Sequence, residues 1–289
     1  MKTSTRTRAE LAVRDAVSQL LSNLDEPLDL GRLAKRAALS PLHFHRVFRG
    51  LVGETASALH RRLRLERAAL ALHSTRKAVT DVAFDAGYQT HESFTRAFVE
   101  AYGLAPSAFR RRAETSSRAV LLPAPSGLHF GGTGFELVTP TQAFSLERRE
   151  ALRLATVRHV GSYATIVDAF LRLDQLSRDL PGPAQLVARY LDDPETVPTK
   201  SLRSEAGLVL KARARVPKGL HEVRLPRGRY ARATHVGPYS LLGDAWANFM
   251  ASVATSRHRI GHEAFEWYTN TPETAQPDSL ITQLYVAVE

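Results

Sequence analysis

The run Phe265-Glu266-Trp267-Tyr268 sets one carboxylate among three aromatic rings. A carboxylate supplies a counter-charge and aromatic faces supply cation–π attraction, so the group suits a cationic guest. The run has strand character, and strand alternation puts Glu266 and Tyr268 on one side and Trp267 on the other. Two histidine pairs raise metal chemistry without sustaining it. His43 and His45 are two residues apart and point to different sides of a helix. His258 and His262 are four apart, but Gly261 weakens any helix there and no acidic third ligand is fixed nearby. The chain has no cysteine, which excludes disulfides, thiolate zinc sites and thiol nucleophiles. No metal or cofactor is expected.

A second chemistry lies on a helix face. His91, Glu92, Thr95 and Arg96 share the polar edge of a helix that opens at Thr90, while Phe94, Ala97, Phe98 and Ala101 share its apolar edge. A short apolar helix and Gly87 precede it. Two short helices joined by a tight turn, the second polar and basic outside, make a helix-turn-helix whose second helix enters a DNA major groove. The pattern occurs twice. Phe44-x-Arg46-x-Phe48 matches Phe94-x-Arg96-x-Phe98 at an offset of 50, while Ala34 and Ala83 are offset by 49, so the second turn has one extra residue. Ser40-Pro41 starts the upstream recognition helix. Phe44, Val47 and Phe48 are expected inside it, with Leu42, His43, His45, Arg46 and Arg49 outward or flanking.

Charge follows the same division. The net charge is +10; residues 1–112 hold 19 Lys and Arg against 11 Asp and Glu, and residues 113–289 hold 20 against 18. The excess positive charge lies with the paired motif, as a footprint for phosphate would. The first ten residues have no apolar core, and no apolar run reaches membrane-spanning length, so a cytoplasmic protein without membrane contact is expected.

The elements that position these groups follow in chain order. A first amphipathic helix is predicted over residues 7–24, with Leu11, Val17, Leu20, Leu21 and Leu24 on one side and Pro27 as its stop. A long helix over 55–73 would hold the two recognition helices about one DNA turn, roughly 34 Å, apart. Residues 115–140 hold Pro123-Ala124-Pro125-Ser126-Gly127 and Gly131-Gly132-Thr133-Gly134 and have a linker's composition. From about Phe144 the texture alternates in strand fashion. A second duplication appears here. His159-Val160-Gly161-Ser162-Tyr163 matches His235-Val236-Gly237-Pro238-Tyr239 at offset 76, and Tyr190 with Pro194-Glu195-Thr196 matches Tyr268 with Pro272-Glu273-Thr274 at offset 78. Each unit runs strand, helix, strand, strand. Two such units should join their sheets and leave a cleft between them. Glu266 breaks the repeat, standing where the first copy has Ala188.

Residues 8–112 resemble the DNA-binding domain of the AraC/XylS family of bacterial transcription regulators. The matching residues are Leu33-Ala34, Ser40-Pro41-x-x-Phe44-x-Arg46-x-Phe48, Arg62-Leu63-Arg64-Leu65-Glu66-Arg67-Ala68, Val82-Ala83-x-x-Ala86-Gly87-Tyr88, Ser93-Phe94-x-Arg96-Ala97-Phe98 and Gly103-x-x-Pro106-Ser107-x-Phe109-Arg110. The resemblance implies that both recognition helices lie in successive major grooves. It implicates Leu42, His45 and Arg46 from the first and His91, Glu92, Thr95 and Arg96 from the second. The family often has a bulky polar or aromatic residue where Leu42 stands. Residues 144–289 are similar to the gyrase-inhibitor-like small-molecule-binding domain, on the two His-Val-Gly-x-Tyr turns, Tyr190-x-Asp192-Asp193-Pro194, and Glu266-x-Tyr268 before Pro272. That likeness implies a lipophilic cationic effector near Glu266, with Tyr163, Phe170, Tyr190, Trp246, Trp267 and Tyr268 as aromatic lining.

The expected fold is multidomain: an all-α double helix-turn-helix domain over 8–112, a linker over 113–143, and an α+β domain of two strand-helix-strand-strand repeats over 144–289. The expected function is sequence-specific DNA binding in transcription regulation, without catalysis. The partners would be an asymmetric bipartite site in double-stranded DNA, a small-molecule effector and RNA polymerase, with the chain a monomer or weak dimer. Two alternatives stand beside it. The C-terminal half could hydrolyse a small toxic compound with Glu266 as general base, or dock onto a protein such as gyrase without any ligand.

Overall fold

The computed structural model describes residues 7–22, 24–26, 29–115, 137, 140–178, 180, 185–211 and 213–289. The Pro- and Gly-rich residues 116–136 and the expected helix stop at Pro27 lie outside them. Among the described residues, seven helices open the chain: α1 (Arg8–Ser22), α2 (Leu30–Ala37), α3 (Pro41–Val52), α4 (Ala56–Ser74), α5 (Val79–Asp85), α6 (His91–Tyr102) and α7 (Pro106–Thr115). The described residues pack as two compact units. One takes those within Met1–Val13, Leu30–Leu51 and Thr139–Glu289, the other those within Arg14–Asp29 and Val52–Val138.

Local chemistry sets the helix boundaries. The Thr55 hydroxyl accepts from the Ala58 N–H at 3.1 Å and opens α4, and Thr90 does the same for α6 through Ser93 at 3.1 Å. Gly103, at φ 68°, closes α6 in the left-handed conformation. The Ser40 hydroxyl accepts from the His43 N–H at 3.2 Å, with Pro41 as the first residue of α3. The two helix-turn-helix turns share one construction. Tyr88 N–H donates to the Ala83 carbonyl at 3.1 Å and Leu39 N–H to the Ala34 carbonyl at 3.0 Å. Gly87 takes φ 78° in the second turn, and the equivalent residue in the first is Ala38 at φ 55°, a conformation that costs an L-residue about 1–2 kcal/mol.

In the second unit, α4, α5, α6 and α7 enclose Leu65, Leu72, Val82, Phe94 and Phe98, with Tyr88, Tyr102 and Phe109 packed against them. Phe98 stacks on Tyr102 at 4.5 Å between ring centres and meets Phe109 edge-on at 5.3 Å. Burying each such ring is worth about 2–3 kcal/mol. α1 departs from its expected face. Ala9, Ala12, Val13, Ala16, Val17 and Leu20 are buried, while Leu11 is exposed. The three- and four-residue steps run through the small residues, and Leu11 falls off that stripe.

The C-terminal part holds β1 (Ser145–Arg149), β2 (Leu152–Val160), α8 (Val167–Ser177), β3 (Leu186–Tyr190), β4 (Arg203–Leu210), β5 (His221–Leu225), β6 (Gly228–Val236), α9 (Leu242–Thr255), β7 (Ile260–Tyr268) and β8 (Ile281–Val288). The eight strands among the described residues form one antiparallel sheet in the order β1-β6-β8-β7-β3-β4-β2-β5. The two predicted repeats are β2-α8-β3-β4 and β6-α9-β7-β8. They meet at the β3–β7 seam, where Val187 pairs with Trp267 and Ala188 with Glu266. The short strands β1 and β5 extend the predicted pattern at the two edges. Helix α8 covers Ala155, Val157, Ala206 and Leu208 on one face of the sheet. Leu154, Val187, Phe265 and Tyr285 form the core on the other.

Candidate functional site

Glu266 is 2 % exposed on the β3–β7 seam, in the pair with Ala188 at one end of its register. Its cross-strand partner Ala188 has almost no side chain, which leaves room on that face. One carboxylate oxygen accepts from the Trp246 indole N–H at 2.7 Å and the other from the Tyr268 hydroxyl at 2.6 Å. Burial pushes the Glu266 carboxyl up from its ordinary range, against the Tyr268 and Trp246 hydrogen bonds and the nearby Arg46 guanidinium. Tyr190 and Tyr268 are both raised by burial first and by the Glu266 carboxylate second, so both stay protonated as donors.

A cavity of about 1040 Å³ opens over this carboxylate. Tyr163, Phe170, Tyr190, Trp246 and Tyr268 line it with Glu266, so five of the six aromatics named from the sequence converge. Trp267 does not, and this corrects its place in the expected lining. It points to the opposite face of the sheet, as alternation requires, where the Arg149 guanidinium lies 4.8 Å from its ring centre. Tyr239 takes its place in the wall, edge-on to Tyr268 at 5.3 Å, as Tyr163 is to Tyr190 at 4.8 Å. The repeat relates Tyr239 to Tyr163 by the offset of 76, a signal sufficient to nominate it from the sequence. The Tyr163 hydroxyl is fixed by donating to the Asp192 carbonyl at 2.6 Å.

The same cavity receives one face of α3. Leu42, His45, Arg46 and Arg49 line it beside residues of the C-terminal sheet. The Arg46 guanidinium carbon lies 3.8 Å from the ring centre of Trp246. Burial lowers the Arg46 pKa to about 10 while the Glu266 carboxylate raises it, so the group remains a cation at neutral pH. His45 Nδ1 stands 3.4 Å from Asp193 and 3.5 Å from Glu195. Arg49 pairs with Asp244 at the start of α9. A Cβ at Gly50 would overlap the Ala247 carbonyl oxygen and come within 2.6 Å of the Ala251 Cβ, so this glycine permits the close approach of α3 to α9. The outward position expected for Leu42, His43 and Arg46 is corrected: they are 7, 3 and 9 % exposed, because this edge of α3 is covered by the C-terminal part.

Helix α6 differs. Phe94 and Phe98 are fully buried, while His91, Glu92 and Arg96 are exposed and Thr95 is half-buried. His91, Glu92 and Arg96 thus share the open side of α6, while the Thr95 hydroxyl is buried. Among the described residues there is no group of three or more His, Asp or Glu side chains placed to hold a metal ion. Nor is any helix among them long and apolar enough to cross a membrane.

The GyrI-like small molecule binding domain matches residues 142–289, and a helix-turn-helix domain matches residues 33–112. The chain belongs to the GyrI-like family. It joins that domain to an AraC-type helix-turn-helix region. The transcriptional regulator Rob of Salmonella typhimurium is 32 % identical over 115 residues, 40 % of this chain and 40 % of Rob. The regulatory protein SoxS of Escherichia coli is 30 % identical over 100 residues, 35 % of this chain and 94 % of SoxS. The chain thus matches about two fifths of the length of Rob. The solved C-terminal domain of EcmrR is similar at 17 % identity and a TM-score of 0.45, covering 51 % of this chain and 98 % of that one.

Proposed function

We propose that this GyrI-like chain is a cytoplasmic, non-catalytic transcription regulator that binds double-stranded DNA and takes up a small lipophilic cation in its C-terminal half. The buried Glu266 carboxylate under a large apolar cavity, with Tyr163, Phe170, Tyr190, Tyr239, Trp246 and Tyr268 in its wall, carries the effector assignment. A buried carboxylate is costly without a counter-charge, and tyrosine and tryptophan faces supply one more attraction for a cation. Both carboxylate oxygens already accept hydrogen bonds, an arrangement that favours a fixed counter-charge over a proton-shuttling base. The DNA-binding part is assigned to residues 8–112, the linker to 113–143 and the effector domain to 144–289. The chain acts as a monomer or weak dimer, because it carries two readers for one asymmetric bipartite site, and the bound complex contacts RNA polymerase.

Two measurements test this. Calorimetry of the full chain with a series of lipophilic ammonium ions and their neutral analogues should give saturable, cation-selective binding; equal binding of both classes would remove the counter-charge role. For DNA, duplexes selected from a random pool by the full chain should lose affinity with Arg96→Ala at unchanged fold. If neither affinity nor base preference moves, α6 is not a reader.

A further inference from the structure

The cavity already holds a cation, and the chain supplies it. The Arg46 guanidinium carbon lies over Trp246, 3.8 Å from its ring centre, and the same indole donates to Glu266 at 2.7 Å. The guanidinium therefore occupies the aromatic and electrostatic environment that suits an external cation. Its helix is held there by three further contacts: Arg49 with Asp244, His43 with the backbone of Gly261, and the close approach of Gly50 to Ala247. Arg46 belongs to the edge of α3 that the family resemblance assigns to DNA. One side chain cannot cover Trp246 in this cavity and read a groove at the same time.

We infer that α3 is a tethered plug, with Arg46 as an internal pseudo-ligand, and that an external lipophilic cation displaces Arg46 from Trp246 and releases α3 for DNA. This rests on the cation-site assignment above. Two cations sharing the space above Glu266 repel, so the guest enters only as Arg46 leaves. Guest and half-site DNA then reinforce one another, since coupling between two ligands is reciprocal. The favoured guest carries a flat or bulky delocalised cation on an apolar body, matching a guanidinium and its methylene stem.

The test uses octylguanidinium, with octanol as the neutral control, on the full chain. Gly50→Ala keeps every charge and favours helix at position 50, but its methyl cannot fit against Ala247. Asp244→Ala removes the partner of Arg49 and serves as a second unlatching variant should Gly50→Ala fold poorly. Because the chain lacks cysteine, a single Leu42→Cys, at a buried position outside the three latch contacts, reports by its alkylation rate whether the docked edge of α3 is open. Octylguanidinium should bind the wild type and speed that alkylation about fivefold or more, and both unlatched variants should bind it tighter by a similar factor. Binding seen only in the unlatched variants supports the same conclusion. Equal affinity in wild type and both variants, with unchanged alkylation, overturns the plug and leaves the cation site standing. No binding to any of the three overturns the cation site itself.

Discussion

In an Arg46→Ala chain, which lacks the internal cation that lies over Trp246, replacing Glu266 with Gln keeps the volume and an acceptor for Trp246 while removing the charge. At an effective dielectric constant of about 20, a unit charge about 4–6 Å from a carboxylate gains about 3–4 kcal/mol. Desolvating the guest takes back a part, leaving about 2 kcal/mol, or roughly a 30-fold rise in the dissociation constant for a monovalent cation. A neutral analogue of the same shape loses nothing from the missing charge, so the ratio of the two affinities isolates the electrostatic part. The assay should be calorimetric. Trp246 donates to Glu266 at 2.7 Å, so the substitution shifts the fluorescence baseline before any ligand is added. The expected result is a loss confined to cations, with the neutral analogue unmoved. A cation affinity unchanged in Glu266→Gln would refute the counter-charge reasoning, because the aromatic walls would then be sufficient alone.

Three other perturbations read the framework. His43 is buried, and its pKa is pushed down to about 3 by burial first and by Arg46 and His262 next, against a backbone hydrogen bond to Gly261. Below pH 6.5 the unfolded chain binds a proton that the folded chain refuses, so stability present above pH 6.5 falls as the pH drops toward 3, by on the order of 4 kcal/mol. Urea denaturation across that window should show this slope, and His43→Gln should flatten it. Phe98→Ala removes a fully buried ring packed on Phe94, Tyr102 and Phe109 and should cost about 3–5 kcal/mol, read by denaturation of the full chain. Ala38→Gly relieves the left-handed residue of the first turn and should stabilise by about 0.5–1 kcal/mol, the gain being trimmed by the entropy of a new glycine; a loss of stability there would mean that the Ala38 methyl makes packing contacts that outweigh the strain.

Both duplications were legible because each repeat carries its own boundary signals. Thr90 and Ser40-Pro41 mark helix starts through local chemistry, and the two His-Val-Gly-x-Tyr turns end in the same arrangement, with Gly161 at φ 138° and Gly237 at φ 136°. The cavity's aromatics followed from the repeat as well, Tyr239 included, which pairs with Tyr163 at offset 76 but was not named. What stayed illegible depends on partners distant in sequence. Periodicity shows that Leu42, His45, Arg46 and Arg49 lie along one side of α3, but not that α9 and the sheet cover that side. A polar helix edge facing water and one facing a buried carboxylate have the same pattern of residue types. The strands β1 and β5 were missed for another reason: Ser145–Arg149 and His221–Leu225 are edge strands rich in charge, and charge weakens the alternation by which strands are recognised.

The position of Glu266 explains why a duplicated fold holds one charge and not two. At the β3–β7 seam each repeat pairs with its own counterpart, and Glu266 lies directly across from Ala188. A glutamate in both copies would put two buried carboxylates on adjacent strands, and one would be driven neutral by its neighbour. The alanine avoids that conflict and clears the space in which a cation can stand. The asymmetry has a second effect. Trp246 of the second repeat, and not its counterpart Phe170 of the first, presents the N–H that holds the carboxylate, so the cation-binding wall lies on the α9 side of the cavity. Helix α3 meets that same side, with Gly50 against Ala247, Arg49 on Asp244 and Arg46 on Trp246. A single departure from the repeat thus gives the cavity its charge and its handedness, and one arginine of the first helix-turn-helix satisfies both.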